Sequence, residues 1–195
     1  RLGRVIRGKD DQVTRIVEAA DASPEEAEIR EINTAVYCFR QSLLAPALRR
    51  ITPENAQGEY YLTDVVAVLR DAGYRVAAVQ VDDAAEGEGI NDREQLANAE
   101  AELRRRTNES WLRAGVTLVD PANTYLDSTV KLGADVTLFP GTILQGSTVV
   151  GAGTEIGPNT RLVDCVVGAG CVVEQSNGRD AEIGAGAVVG PFAVL

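Results

Sequence analysis

The stretch that most constrains this chain is 126–195. An aliphatic residue returns there every six positions, at Leu126, Leu132, Leu138, Leu144, Val150, Ile156 and Leu162. Small residues follow, as in Leu132-Gly-Ala-Asp, Val150-Gly-Ala-Gly, Ile156-Gly-Pro-Asn, Val167-Gly-Ala-Gly, Ile183-Gly-Ala-Gly and Val189-Gly-Pro-Phe. A period of six is neither helical nor that of an isolated strand; it specifies a parallel β-helix whose short strands are joined by tight corners. Each hexad supplies one face of a three-sided coil, the aliphatic residue points into the prism, and glycine accepts φ > 0 at the corner. Stacked coils bury a continuous aliphatic column that no single coil buries alone. Hexapeptide helices are left-handed as a fold type, against the usual right-handed crossover, and the repeat by itself does not set the hand.

Two breaks in the register are informative. Leu162 to Val167 is one residue short, and Val173 to Ile183 is four residues long, with Gln175-Ser-Asn-Gly-Arg-Asp-Ala between. The longer spacing predicts a loop bulging from one corner, a tolerated surface insertion.

The remainder, 1–125, follows other rules. Residues 3–7 and 12–18 alternate polar and apolar side chains around Gly8-Lys-Asp-Asp, a β-hairpin signature. Ser23 is an N-cap candidate, with Pro24 at the first helical position and glutamates in the first turn. A strand is expected over 31–39, a short helix over 43–48 disturbed by Pro46, and a helix over 60–69 with Tyr61, Val65 and Leu69 on one face beside Leu62 and Val66. A valine-rich strand follows over 75–81. The longest helix is expected over 92–113, with Leu96, Ala99, Leu103 and Leu112 as its apolar stripe and Gly115 at its end. Strands and helices alternating through 1–90 read as the end of an α/β domain. A doubly wound domain needs more strands than these, so the rest is expected before Arg1.

Composition narrows the function. A formal net charge of −10 disfavours nucleic-acid and anionic-membrane surfaces, and no apolar run approaches the ~20 residues that span a bilayer. The three cysteines, Cys38, Cys165 and Cys171, are an odd number without metal-ligand spacing, as free or buried thiols in a reducing cytoplasm would be. The sequence has no methionine, so it is expected to be a piece of a longer protein, and no histidine, which removes the commonest general base.

A specific resemblance then emerges from Ile16-Val-Glu, Glu31-Ile-Asn-Thr, Asn55-Ala-Gln-Gly-Glu-Tyr-Tyr-Leu-Thr-Asp, Gly89-Ile-Asn-Asp-Arg and the hexads, in that order. Essentially the whole chain resembles the bacterial bifunctional N-acetylglucosamine-1-phosphate uridyltransferase / glucosamine-1-phosphate acetyltransferase family. The resemblance implies a partial α/β nucleotidyltransferase (Rossmann-like) domain, joined by a long helix to a left-handed parallel β-helix. The divisions are 1–90 for the uridyltransferase part, 91–115 for the linker helix and 116–195 for the first coils of the acetyltransferase. It further implies a cytoplasmic homotrimer with neither nucleic-acid nor membrane partners. Its substrates are glucosamine 1-phosphate with acetyl-CoA, then N-acetylglucosamine 1-phosphate with UTP and Mg²⁺; the product UDP-N-acetylglucosamine feeds cell-wall synthesis.

Residue by residue, Gly3 matches the glycine of the family's Tyr-Gly-Arg strand, whose backbone lies against the sugar nucleotide. Glu18 matches the glutamate that binds sugar hydroxyls, Asn33 the asparagine that also contacts the sugar, and Asn91 the asparagine that helps to hold Mg²⁺. The chemistry suits these types: a carboxylate accepts from vicinal hydroxyls, an amide both donates and accepts, and Mg²⁺ takes one or two protein oxygens with phosphate and water. Apart from the resemblance, Glu18 reads as a solvated surface residue, and Asn33 and Asn91 read as turn or cap residues, Asn91 as the N-cap of the long helix.

The chain departs from the family pattern at Arg1-Leu2, where Gly-Tyr is usual, at Ala35 in place of a glycine, and at Asp92 in place of a second asparagine. The family's glycine-rich nucleotide loop and its histidine-bearing later coils are absent, so these residues alone are expected to catalyse neither half-reaction. Their incomplete sheet is expected to expose an unpaired edge. Two alternatives remain: another sugar-nucleotide pyrophosphorylase with a β-helix appendage, and a non-catalytic trimeric scaffold.

Overall fold

The computed structural model describes residues 2–195; Arg1, one of the departures noted above, lies outside the described residues. The chain separates into two units, Arg1–Gly89 and Ile90–Leu195.

In the first unit, β1 (Arg4–Arg7) and β2 (Val13–Val17) form the expected antiparallel hairpin, with Val5 opposite Ile16 and Arg4 opposite Val17. The turn closes through Gly8 N–H to Gln12 O at 2.9 Å. Helix α1 (Pro24–Ala27) starts at a capping box: Ser23 Oγ accepts from Glu26 N, and the Glu26 carboxylate accepts from Ser23 N. Helices α2 (Gln41–Leu48) and α3 (Asp64–Asp71) follow, and α3 packs on β2. Val5, Val13, Ile16 and Val66 form a small core covered in part by Tyr37 and Val76.

Three expectations for this unit are corrected. Residues 31–39 form no strand. Ile32 makes a single antiparallel bridge to Arg4, flanked by Val5 N to Glu31 O and Asn33 N to Gly3 O, and then Ala35 turns the chain away at φ 59°. Residues 75–81 form no strand either, because an extended segment needs a neighbour for its backbone groups. Among the described residues the only sheet of this unit is β1–β2. Helix α3 begins at Asp64 rather than 60, since 61–66 start with the tight bonds Asp64 N to Tyr61 O and Val65 N to Leu62 O. The α/β reading of 1–90 is thus supported only in part: helices beside a hairpin are present, and the described residues of this unit form no parallel sheet.

The second unit begins with α4 (Arg93–Arg113), capped by Asp92, whose Oδ1 accepts from Gln95 N at 2.8 Å. It ends in a Schellman motif: Gly115 at φ 91°, Val116 N bonded to Trp111 O and Gly115 N to Leu112 O. Leu96, Leu103 and Leu112 are exposed, contrary to the expected apolar stripe. The packed face carries Trp111 and Asn108, and the Asn108 Nδ2 donates to Pro121 O at 2.8 Å and Thr124 O at 3.0 Å. Polar bonds to the chain entering the first coil therefore seat the helix.

Beyond α4 lies the parallel β-helix of about four coils, matching the left-handed fold expected. One face stacks Thr124–Leu126, Thr142–Gln145, Arg161–Val163 and Asn177–Arg179. The second stacks Lys131–Leu132, Val149–Val150, Val166–Val167 and Glu182–Ile183. The third stacks Thr117–Leu118, Thr137–Leu138, Glu155–Ile156, Val172–Val173 and Val188–Val189. The anchors Leu138, Leu144, Val150, Ile156 and Leu162 are wholly or almost wholly buried. Two residues before each anchor runs a second inward column, including Thr142, Thr148, Thr154 and Thr160, also fully buried. Their hydroxyls are satisfied by backbone: Thr142 Oγ1 donates to Phe139 O at 2.7 Å and Thr154 Oγ1 to Gly168 O at 2.8 Å. Cys165 and Cys171 continue this column as buried free thiols, and Cys38 is exposed.

The expected loop at 175–181 is absent. Asn177–Arg179 is a strand in register with Arg161–Val163, and Gly178 occupies the place of an aliphatic anchor opposite Leu162. A Cβ on Gly178 would stand 3.0 Å from Leu162 Cδ2 and 3.3 Å from Cys165 Sγ, so those side chains fill the space. The corner glycines divide into two roles. Gly153 takes the expected left-handed φ of 66°, whereas a Cβ on Gly151 would stand 2.5 Å from Ala169 N in the next coil. There the absent side chain permits the stacking itself.

Candidate functional site

Three of the four residues singled out meet at the end of the hairpin. Gly3 precedes β1 and is buried; a Cβ there would stand 3.0 Å from Val17 O and 3.4 Å from Glu18 Oε2. Glycine at this position lets β1 lie close to the end of β2 and puts its backbone beside the Glu18 carboxylate. Asn33 is tied to the same place, its N–H donating to Gly3 O at 2.9 Å.

Each side chain is oriented by partners that periodicity did not reveal. Glu18 Oε1 accepts from the buried Thr63 Oγ1 at 2.9 Å, which leaves the second carboxylate oxygen beside Gly3. Asn33 Oδ1 accepts from Ala35 N at 3.2 Å, and its Nδ2 donates to Tyr37 Oη at 2.7 Å. The Asn55-to-Asp64 motif folds over the end of β2. Asn55 closes its turn on Gln57 N and Glu59 N, and Ala56 N donates to Asp21 Oδ1 at 2.7 Å. An open depression of about 230 Å³ results, lined by Glu18, Ala19, Ala20 and Gln57.

Its electrostatics are one-sided. Burial and then the charges of Asp21 and Glu18 push the Asp64 carboxyl up. Tyr61 is pushed up by desolvation, with Asp21, Glu59 and Glu18 adding to the effect, and Tyr37 chiefly by burial, with Glu18 adding to it. Such a surface accepts hydrogen bonds from neutral hydroxyls and repels phosphate. The chain has no histidine.

Asn91 lies in the other unit. It is exposed and precedes the cap of α4, with its N–H donating to Gln95 Oε1 at 2.6 Å. The N-cap is Asp92, which gives that departure from the family pattern a helix-capping role. Among the described residues no group of three or more His, Cys, Asp or Glu is placed to hold a metal ion. Asn91 offers one neutral amide oxygen, which fits a single ligand position on an ion otherwise held by phosphate and water, and does not make a protein-only site.

The sequence reading missed Thr63, Tyr37 and Asp21. Thr63 lies inside the quoted motif and Tyr37 lies four residues after Asn33, but nothing in their spacing says that they point at Glu18 and Asn33. No helix among the described residues is long and apolar enough to cross a membrane.

No family model matches the chain. Among curated proteins it is 51% identical over 193 residues to the bifunctional protein GlmU of Pseudarthrobacter chlorophenolicus, covering 99% of this chain and 39% of that protein. It is 49% identical over 193 residues to bifunctional protein GlmU of Corynebacterium efficiens, covering 99% of this chain and 40% of that protein. The bifunctional protein GlmU of Rhodococcus jostii is 50% identical over 194 residues, covering 99% of this chain and 39% of its own length. The resemblance read from the motifs is therefore shown along nearly the whole chain, which spans about two fifths of the length of these relatives.

Proposed function

We propose that this chain, similar to GlmU proteins along nearly its whole length, forms part of a bifunctional enzyme of UDP-N-acetylglucosamine synthesis. The enzyme acetylates glucosamine 1-phosphate from acetyl-CoA, then transfers uridylyl from UTP to the N-acetylated sugar phosphate with release of pyrophosphate. Residues 1–90 supply the sugar end of the uridyltransferase site, 91–115 link, and 116–195 are coils of a trimeric acetyltransferase β-helix in the cytoplasm.

The observation that carries this reading is the convergence of Gly3, Glu18 and Asn33 at the end of the hairpin, where Glu18 also lines the acidic depression. Glu18 accepts from vicinal sugar hydroxyls through the oxygen that Thr63 leaves unused, and Asn33 reads a further hydroxyl. The sign of the charge is right for a sugar, and the phosphates are held elsewhere. Asn91 gives one oxygen to Mg²⁺, which when bound neutralises phosphate charge.

The test exchanges this chain for the matched segment of the Rhodococcus jostii protein. In the hybrid, Glu18→Ala and Asn33→Ala are expected to raise KM for N-acetylglucosamine 1-phosphate about tenfold or more, the range for lost hydrogen bonds involving charge. Acetyl transfer should be unchanged. Unaltered uridylyl transfer in both variants overturns the reading and favours a scaffold.

A further inference from the structure

We infer that Tyr37 is a positioning residue for sugar recognition, its hydroxyl fixing the amide of Asn33 in the orientation that receives the ligand. The inference rests on the assignment of Asn33 to the sugar site and adds to it how that side chain is held.

An asparagine amide offers an acceptor at one end and donors at the other, and a free one rotates between the two presentations. Here both ends are engaged within five residues. The Ala35 N–H can only donate, so the end facing it must be Oδ1, at 3.2 Å; Nδ2 is thereby directed at the Tyr37 hydroxyl, at 2.7 Å. Each bond uses only part of that end's capacity. One N–H and one lone pair of the amide stay available to a sugar hydroxyl.

The phenol is itself held. Its ring stacks on Phe39, with centroids 5.6 Å apart and planes 24° apart, and covers the core of Val5, Val13, Ile16 and Val66. The left-handed turn at Ala35 folds the chain so that Tyr37 returns over Asn33. Burial pushes the Tyr37 phenol up, the hydrogen bond from Asn33 offsets part of that, and the Glu18 charge adds to it. A side chain clamped by core packing and bonded to a ligand-facing amide transfers the rigidity of the core to the site. Tyr37 then acts on binding through Asn33, with no contact of its own required.

The experiment is a double-mutant cycle in the hybrid protein described above, reading KM and kcat for uridylyl transfer. Tyr37→Phe keeps the ring and the Phe39 stack and removes only the hydroxyl. KM for N-acetylglucosamine 1-phosphate should rise about fivefold, as for one neutral hydrogen bond, with kcat and the melting temperature unchanged. In the Asn33→Ala background the same substitution should change nothing further, because the partner is already gone. An unchanged KM in Tyr37→Phe, or an equal penalty with and without Asn33, overturns the inference while leaving the sugar site intact. Failure of Asn33→Ala itself to affect KM overturns the underlying assignment, and with it this one.

Discussion

The two units solve the same problem, pairing backbone groups away from water, by different means. In Ile90–Leu195 each coil passes its hydrogen bonds to the next, so Val149 N bonds Cys165 O and Val166 N bonds Ala181 O, one coil after another. Among the described residues of Arg1–Gly89 one hairpin is the whole sheet, and outside it and the short helices side chains hold part of the backbone: Asp21 on Ala56, Asn55 on Gln57 and Glu59, Asn33 on Ala35. Repetition distributes stability over many equivalent contacts. The hairpin unit concentrates it in a few particular ones, which also orient Glu18 and Asn33.

The largest effect that would break this contrast lies in the repeat. Leu144→Ala empties a fully buried anchor between Leu126 and Leu162 and should cost about 2–5 kcal/mol. Amide-exchange protection should be lost in the coils on both sides, because each coil is stabilised by its neighbours. Val79→Ala, in a segment expected from sequence to be a strand but 92% exposed, should stay within about 0.5 kcal/mol. Comparable costs at the two positions would mean that 75–81 is paired after all.

Legibility followed the same division. The hexad period sufficed for the β-helix because each anchor repeats one signal and neighbours average out exceptions. It failed at 175–181, where Gly178 stands in for an aliphatic anchor and so disappears from a hydrophobic pattern. The buried threonines were equally open to reading, at a spacing of six, but a hydroxyl scores as polar until its backbone acceptor is seen. Gly178→Val sharpens the point. It supplies an aliphatic residue midway between Val173 and Ile183 in sequence, yet places methyl groups against Leu162 and Cys165 and should destabilise by about 1–3 kcal/mol. A neutral or stabilising result would show spare volume in that coil.

In the hairpin unit, alternation revealed β1 and β2, and Ser23-Pro24 revealed α1, since both signals are local. Valine-rich 75–81 misled because strand propensity reflects packing against a neighbouring strand, and none pairs with it among the described residues. Of the candidate site, Gly3, Glu18 and Asn33 were legible only through motif resemblance. Thr63 and Tyr37 were not legible at all, because their roles arise from tertiary geometry: Thr63 is 45 residues from Glu18 along the chain. A single long-range bond leaves no period.

A smaller effect than those in the repeat concerns the residue on which that local geometry turns. Ala35 stands where the resembled family has glycine, and its φ of 59° is a left-handed conformation that costs a side-chain-bearing residue about 1–2 kcal/mol. Glycine removes that cost but gives up about 0.5–1 kcal/mol through the greater freedom of its unfolded chain. Ala35→Gly should therefore stabilise the hairpin unit by up to about 1.5 kcal/mol, seen as a modest rise in its urea midpoint with an unchanged slope. The bonds of Asn33 to Ala35 N and Tyr37 do not depend on the methyl group, so sugar-phosphate KM should stay constant. Destabilisation would mean that the methyl packs favourably enough to offset the strain, and that the turn before Tyr37 is held by contacts rather than tolerated by the backbone.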